Sequence, residues 1–430
     1  MFKDQPAWYE MQMIKDLMPI LNGKAVRGIN TSYFLPKIYI GKSALLNTVR
    51  YLEAILPKEE RRALIVTDSF TKALVKRIKD FLELIGMEYQ VWSGALPEVP
   101  IHTIEDGVKV CEKYNPRIII AIGGGSVMDT AKVIRIKYEN PEENVHMLLA
   151  FGQTLGLGKK VKQLVAIPTT SGTGSEAAKV AVLTDTRDPP KKLIIAHDEL
   201  LADIAILDTD FVKDLPPFLT MATGLDALSH ALGAYTTNWG NPYTDAINLT
   251  VIKEIIKYLP RAYKYGAKDI EARSHMQIAA TWAAFGANGN ANPGLNHSLG
   301  HSFGKVCNVH HGISVAMFLP YTIAFEAKVT ERWKDICPLF GIDCTDKKDD
   351  MLLHEFVQKL KEFISSLGGP TYVSEIQDPI INEKDYFGKM NKLVEYAIND
   401  AGSLTIYRPI NAEVIEKIFA YVWEGKEIDF

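Results

Sequence analysis

The stretch "IIIAIGGGSVMDTAK", residues 118–132, decides the fold. An apolar run without a polar break leads into three glycines, and a mixed polar and apolar pattern follows them. Such an Ile-rich run reads as a strand buried on both faces, the kind that parallel sheets contain. Glycines let a backbone come close to a bound group, and Ser126 is a candidate cap for the helix that follows. The free N–H groups and the dipole of that helix start favour a phosphate. An ordinary tight strand–helix turn reads much the same, so both readings stand at this point.

The same alternation extends to either side. "KIYIG" (37–41), "ALIVTD" (63–68), "YQVWSG" (89–94), "LVAIPTT" (164–170), "AVLTD" (181–185), "KLIIAH" (192–197) and "IAILD" (204–208) are short, rich in Ile and Val, and bounded by Gly, Asp or Pro. Helical patterns such as "TKALVKRIKDFLELIG" and "HTIEDGVKVCEKYN" lie between the early ones. Strand and helix in alternation predict an α/β domain with a parallel sheet. Beyond "LPPFLTMATG" the strands stop, and apolar residues recur every three or four positions to the end. The chain therefore divides near Pro216–Pro217 into an α/β domain, 1–214, and a helical domain, 215–430. A length of 430 residues also exceeds what one ordinary core holds.

Bulk properties exclude several classes. A formal charge of −4 gives no footprint for nucleic acid or for an anionic membrane. The four cysteines, Cys111, Cys307, Cys337 and Cys344, form no C-x-x-C pair and no disulfide framework. "MFKDQPAWYEMQMIKDLMPI" has polar residues early and no uninterrupted apolar core, which predicts neither signal peptide nor membrane span. A soluble protein of a reducing, cytoplasmic compartment is expected.

Two further glycine motifs compete with the first. "GTGSEA" (172–177) fits the loose dinucleotide pattern after a strand, weakly on its own. "GLGKK" (156–160) resembles the end of a nucleoside-triphosphate loop but lacks Ser or Thr after the lysine, and is discarded. Asp68 closes the second strand, where an acid can accept hydrogen bonds from ribose hydroxyls or merely close an Asx turn.

"GLDALSHA" sets Asp226 and His230 four residues apart, on one helix face. "GLNHSLGHSFGKVCNVHHG" (294–312) holds four of the ten histidines, with His297 and His301 again four apart, and His310 and His311 behind them. One carboxylate and three imidazoles suit a divalent transition metal. With His230 counted as a ligand, two of this segment's four histidines complete the set, and spacing alone does not say which two, nor which of the others serves proton traffic.

Four motifs in this order, "GGGSVMDTAK", "PTTSGTGSE", "MATGLDALSHALGAY" and "NHSLGHSFGKVCNVHHG", resemble the iron-containing, group III alcohol dehydrogenases. That family includes lactaldehyde reductase (propanediol oxidoreductase) and butanol dehydrogenases, and the likeness runs from about residue 36 to about 424. It implies a Rossmann-like nucleotide-binding domain and an all-α metal-binding domain in a dehydroquinate synthase-like architecture, with a cleft between them. Asp226, His230, His297 and His311 match the metal ligands, and iron(II) is the usual metal, with zinc(II) also compatible. His301 matches a proton carrier beside the metal, and His310 stands where proline is common. For NAD, the resemblance implies Gly123, Gly124, Gly125, Ser126 and Asp129 at the pyrophosphate. It implies Thr169, Thr170 and Thr173 along the dinucleotide, Lys192 at a ribose and Asp68 at the adenosine ribose.

The implied activity is hydride transfer between a primary alcohol or diol and NAD(H), by a homodimer or larger homo-oligomer. Glu98 stands where the family has asparagine, Ala178 and Lys179 where it has Val-Thr, and "IYR" replaces "NPR" around Arg408. Lys179 is accordingly a candidate for the substrate space. Two rival functions share the fold. One is an NAD- and metal-dependent lyase like dehydroquinate synthase, and the other is a non-catalytic metal-binding protein.

Overall fold

The computed structural model describes Gln12 and residues 33–148, 154–187, 191–287 and 292–430. The N-terminal stretch read above for a targeting signal therefore lies outside the described residues, Gln12 excepted. Two compact units appear. One comprises residues 33–215 with Gly266–Thr281, and the other Pro216–Tyr265 with Trp282–Phe430.

The first unit runs β1 (Lys37–Ile40), α1 (Ala44–Ile55), β2 (Arg62–Val66), α2 (Lys76–Leu84), β3 (Glu88–Trp92), α3 (Ile101–Tyr114), β4 (Ile118–Gly123), α4 (Gly125–Glu139), β5 (Gln163–Pro168), β6 (Val180–Asp185), β7 (Lys191–Ala196) and β8 (Ile204–Leu207). Six strands form a parallel sheet in the order β1-β8-β5-β4-β2-β3. β4 is central and buried at every position, which is why its sequence shows no polar alternation. Ile120 pairs with Ile65 on one side and Val165 on the other. Gly123 pairs with Pro168, so the loops after β4 and β5 leave the sheet side by side.

β6 and β7 stand apart from the expected alternation. They form an antiparallel ribbon of their own. Only residues 186–190 connect them, too few for the crossover that a parallel pair needs.

The second unit carries α5 (Pro217–Thr236), α6 (Pro242–Tyr265), the end of α7 (Ile270–Ala287), α8 (Leu295–Cys307), α9 (His311–Glu326), α10 (Asp349–Ser366), α11 (Glu383–Gly388), α12 (Met390–Ile398) and α13 (Ala412–Glu424). Pro217 opens α5 at the position where a missing N–H costs nothing. From Thr220 to Thr236 every residue of α5 is buried, and α9 is buried from Gly312 to Glu326. Helices buried on all sides belong at the centre of a bundle, and both lie there, packed on each other, with α6 against α5 and α8 against α9.

One carboxyl is caught in this packing. Glu326, at the end of α9, is buried, and its Oε2 accepts the Tyr407 N–H at 3.1 Å. Burial pushes the Glu326 carboxyl up to about 8 from an ordinary 4.5. The folded chain then keeps a proton that the unfolded chain releases. Stability from this group is complete below pH 4.5 and is lost as pH rises through about 8, at about 1.4 kcal/mol per unit in between. Glu326→Gln should remove that decline, making the variant more stable than the native chain at pH 8 but not at pH 4. Urea unfolding at both pH values measures it.

Candidate active site

In the second unit, α5, α8 and α9 bring a carboxylate and several imidazoles together. Asp226 and His230 share one face of α5, a helix turn apart. His297 comes from the first turn of α8, and His311 is the first residue of α9. Three ring nitrogens converge on Asp226 Oδ1: His311 Nε2 at 3.2 Å, His297 Nε2 at 3.8 Å and His230 Nδ1 at 4.0 Å. The His230 and His297 rings stack with centroids 4.6 Å apart. Ligand atoms of Asp226, His230 and His297 all lie within 4.8 Å of one another.

Asp226, His230 and His297 are buried, while the His311 side chain is 35% exposed, yet Asp226 Oδ1 and His297 Nε2 make no well-aligned hydrogen bond. Buried polar atoms left this way need a partner of another kind. Burial pushes the Asp226 carboxyl up, but His230, His311 and His297 outweigh it and hold the group well below the usual carboxylate range. Burial also drives His297 well below the usual imidazole range, Asp226 only partly opposing it. An anionic oxygen therefore faces a neutral His297 ring with a lone pair available. One hard oxygen and several borderline nitrogens form a donor set that fits a divalent transition metal.

Closeness of α5 and α9 makes this possible. A Cβ on Gly312 would lie 2.0 Å from the Ala222 carbonyl oxygen and 3.2 Å from Asp226 Cβ. Only glycine allows α9 to start against α5 with His311 beside Asp226.

His301 lies one turn along α8 from His297. Its ring stacks on His311 at 5.2 Å and meets His297 edge-on at 5.7 Å. Its Nδ1 is 2.8 Å from Asp400 Oδ2. Sequence reasoning missed Asp400, which stands 99 positions later in a short polar turn with no motif. It also missed Asn296, whose amide nitrogen lies 3.1 Å from His297 Nδ1. His310 caps α9, accepting the Gly312 N–H at 3.2 Å on its own Nδ1, and its ring meets Phe218 edge-on.

The dinucleotide-type loops belong to the first unit. Helix α4 begins at Gly125 with Gly124 as its cap, so Ser126 sits inside the first turn and not at the cap as its sequence position suggested. The opening N–H groups of a helix have no partner within it and point outward. A Cβ on Gly125 would lie 2.8 Å from Thr173, and one on Gly124 3.5 Å from Thr170. The threonine loop is thus laid directly on the glycine turn. Thr169 is tied in as well, its N–H donating to the Gly123 carbonyl at 3.0 Å.

Asp129 and Lys132 hold this pair of loops from beneath. Asp129 accepts Ser175 Oγ at 2.6 Å and the Val182 N–H at 2.9 Å, so both its oxygens face the protein. Lys132 is buried and donates to Ser175 Oγ and to the Ala178 and Val180 carbonyls at 2.8–2.9 Å. Asp68 Oδ1 accepts from the Phe70 and Thr71 N–H groups and from the Thr71 hydroxyl, at 2.7–2.8 Å. The Asx-turn reading of that residue is realised by one of its two oxygens.

Two of this chain's own departures, Glu98 and Lys179, are each held in an ion pair. Lys192 pairs with Glu98, whose backbone holds a left-handed φ of 64°. Lys179 is buried and pairs with Asp198 at 3.0 Å. The "GLGKK" loop is also accounted for. Glu199 accepts the N–H groups of Leu155, Gly156 and Leu157, and Glu139 those of Gly158, Lys159 and Lys160, at 2.6–3.2 Å.

Comparison with known proteins extends this picture. The model for iron-containing alcohol dehydrogenases matches residues 36–209, and that for the C-terminal part of the Fe-containing alcohol dehydrogenase family matches residues 220–423. An NADPH-dependent butanol dehydrogenase of Clostridium saccharobutylicum is 32% identical over 93% of this chain and 99% of its own length. An NAD-dependent methanol dehydrogenase of Bacillus methanolicus is 33% identical over 80% of this chain and 89% of its own. Among solved structures, an alcohol dehydrogenase from Oenococcus oeni superposes with a TM-score of 0.83 at 25% identity, over 91% of this chain and all of that one.

Gly312→Ala should push α9 away from α5 and weaken binding of a divalent metal at least tenfold. The chain should stay folded by circular dichroism, and metal titration of the purified protein provides the measurement.

Proposed function

Because the chain belongs to the iron-containing alcohol dehydrogenase family, we propose that it transfers a hydride between a primary alcohol or diol and NAD(H), interconverting alcohol and aldehyde. The observation that carries this reading is the cluster of buried ligand atoms of Asp226, His230 and His297, in which Asp226 Oδ1 and His297 Nε2 make no well-aligned hydrogen bond. Asp226, His230, His297 and His311 are the proposed ligands, with iron(II) the first choice and zinc(II) the alternative. When bound, the metal supplies Lewis acidity for an alcohol oxygen and the nicotinamide accepts the hydride.

This chain's residues do the rest. Asp226 stays ionised and His297 stays neutral, so charge and lone pair are ready before any ligand arrives. His301 takes the alcohol proton at its Nε2 and passes it to solvent; its side chain is 11% exposed, enough for contact with water. In the first unit, the N–H groups at Gly124, Gly125 and Ser126 receive a pyrophosphate, with Thr169, Thr170 and Thr173 along it. Asp129 supports this turn from below. Lys192 reaches a ribose once it leaves Glu98. The same reading makes the protein a cytoplasmic homo-oligomer acting on small alcohols or aldehydes, with no nucleic-acid or membrane partner.

The cofactor assignment rests on Asp68. Its Oδ2 makes no hydrogen bond among the described residues and is the proposed acceptor for the adenosine ribose hydroxyls. NADP would bring a phosphate against this carboxylate, like charge against like charge.

A panel of alcohols and diols, with NADH formation followed after metal loading, tests the activity. Turnover should appear with primary alcohols. Asp226→Ala and His297→Ala should lose both metal and turnover, whereas His301→Ala should keep metal and lose roughly 10²- to 10⁴-fold in rate. Full activity with stoichiometric metal in Asp226→Ala would end the ligand assignment. For the cofactor, Asp68→Gly should narrow the preference for NAD over NADP in kcat/KM. An unchanged ratio with lowered stability would leave Asp68 as a turn residue only.

A further inference from the structure

His301 does not stand alone. Asp400 Oδ2 lies 2.8 Å from its Nδ1, and Asp400 Oδ1 is committed elsewhere: it accepts the Gly402 N–H at 2.9 Å and the Ser298 hydroxyl at 3.1 Å. The Asp400 side chain is 7% exposed. Its turn is fastened on several sides. Asn292 Nδ2 donates to the Ala401 carbonyl, Ser403 Oγ to the Ala397 carbonyl and the Asn238 N–H to the Thr405 carbonyl, at 2.7–3.3 Å. Ser302 Oγ ties α8 to α12 through the Leu393 carbonyl at 2.7 Å. All these groups lie in the second unit, and none belongs to the metal-ligand set.

We propose that Asp400 is a positioning residue for His301, fixing the ring so that Nδ1 carries its proton and Nε2 presents its lone pair. An ionised carboxylate only accepts hydrogen bonds, so the ring nitrogen facing it must donate. The Gly402 N–H only donates, which assigns one carboxylate oxygen to the turn and leaves the other for the ring. The inference rests on the reading of His301 as proton carrier. In that step the alcohol O–H bond breaks, its proton binds Nε2, and the ring becomes imidazolium with Asp400 facing its Nδ1–H. Nε2 then gives the proton to water and the starting tautomer returns. Without Asp400 the neutral ring is free to hold its proton on Nε2, where it has no acceptor site for the alcohol.

Asp400→Asn separates position from charge. In the variant the Gly402 N–H keeps the amide oxygen on its side, so the amide NH₂ turns to His301 Nδ1. The ring must then carry its proton on Nε2, the wrong tautomer, with the shape of the site intact. Nitrogen-15 NMR of the histidine rings, on the full chain both metal-free and zinc-loaded, reads this directly. The His301 signals are those missing from His301→Asn.

The native ring is expected as Nδ1–H and the Asp400→Asn ring as Nε2–H. In the loaded enzyme Asp400→Asn should lower kcat roughly 10²-fold with the alcohol KM and bound metal unchanged. Ser298→Ala, which removes one of the two Oδ1 donors, should lower kcat less. An Nε2–H tautomer in the native chain, or native kcat in a folded Asp400→Asn, overturns the proposal. If the loaded native chain turns over no alcohol, the hydride-transfer reading falls, while the native tautomer still decides the Asp400–His301 contact.

Discussion

One carboxylate oxygen, Asp226 Oδ1, sits in the middle of a helical unit with imidazole nitrogens 3.2–4.0 Å away. A buried charge needs compensation, and packed helices offer little of it from backbone. The surrounding sequence is arranged around that need. α5 is buried from Thr220 to Thr236, and Asp226 and His230 project from one of its faces. Gly312 brings the start of α9 within reach, and α8 contributes His297 on the turn that also presents His301. Remove the anion and three imidazoles would face one another without a reason to converge.

In the other unit the organising element is a cation. Lys132 is enclosed, and burial lowers its pKa, with Asp129 and Glu176 pulling the other way. Three oxygens take its three protons, so the charge is fully solvated by protein. Those oxygens belong to the segment from Ser175 to Val180. Asp129, one turn earlier on α4, holds Ser175 and β6. The glycine turn is thereby joined to the threonine loop beneath the surface on which a pyrophosphate would rest. The residues at that surface can then be small, because the stiffness comes from below.

How much of this was legible depended on whether the information was local. The buried strand of "IIIAIGGG", the eight strand segments and the helix opening at Pro217 follow from runs and periodicities within a few residues. The separate β6–β7 ribbon did not follow, because a strand pattern is silent about its partner. Spacing alone put Asp226 with His230 and His297 with His301, since a helix maps four residues onto one face. Nothing local linked the α5 pair to α9; Gly312 did, and its role shows only when the helices are packed. Ser126 looked like a cap because serine favours that position, but Gly124 took it, leaving the cap without a side chain. Asp400 was invisible for the same reason that makes it effective: its partner lies 99 residues away, and an aspartate in a polar turn looks like any other. Asp129 matched a pyrophosphate motif by position, and its two oxygens turned out to be engaged by Ser175 and Val182.

The Gly-rich loop after residue 154 carries a different lesson. Six successive N–H groups there form the kind of concave donor surface that elsewhere cradles phosphate, and Glu199 and Glu139 fill it. Tethered ligands do not compete on equal terms with dissolved ones. Their effective concentration is set by the fold, whatever the ions in solution. The loop is therefore saturated from the moment the chain folds, whereas the glycine turn between β4 and α4 has no such glutamate among the described residues and is left to compete for a nucleotide.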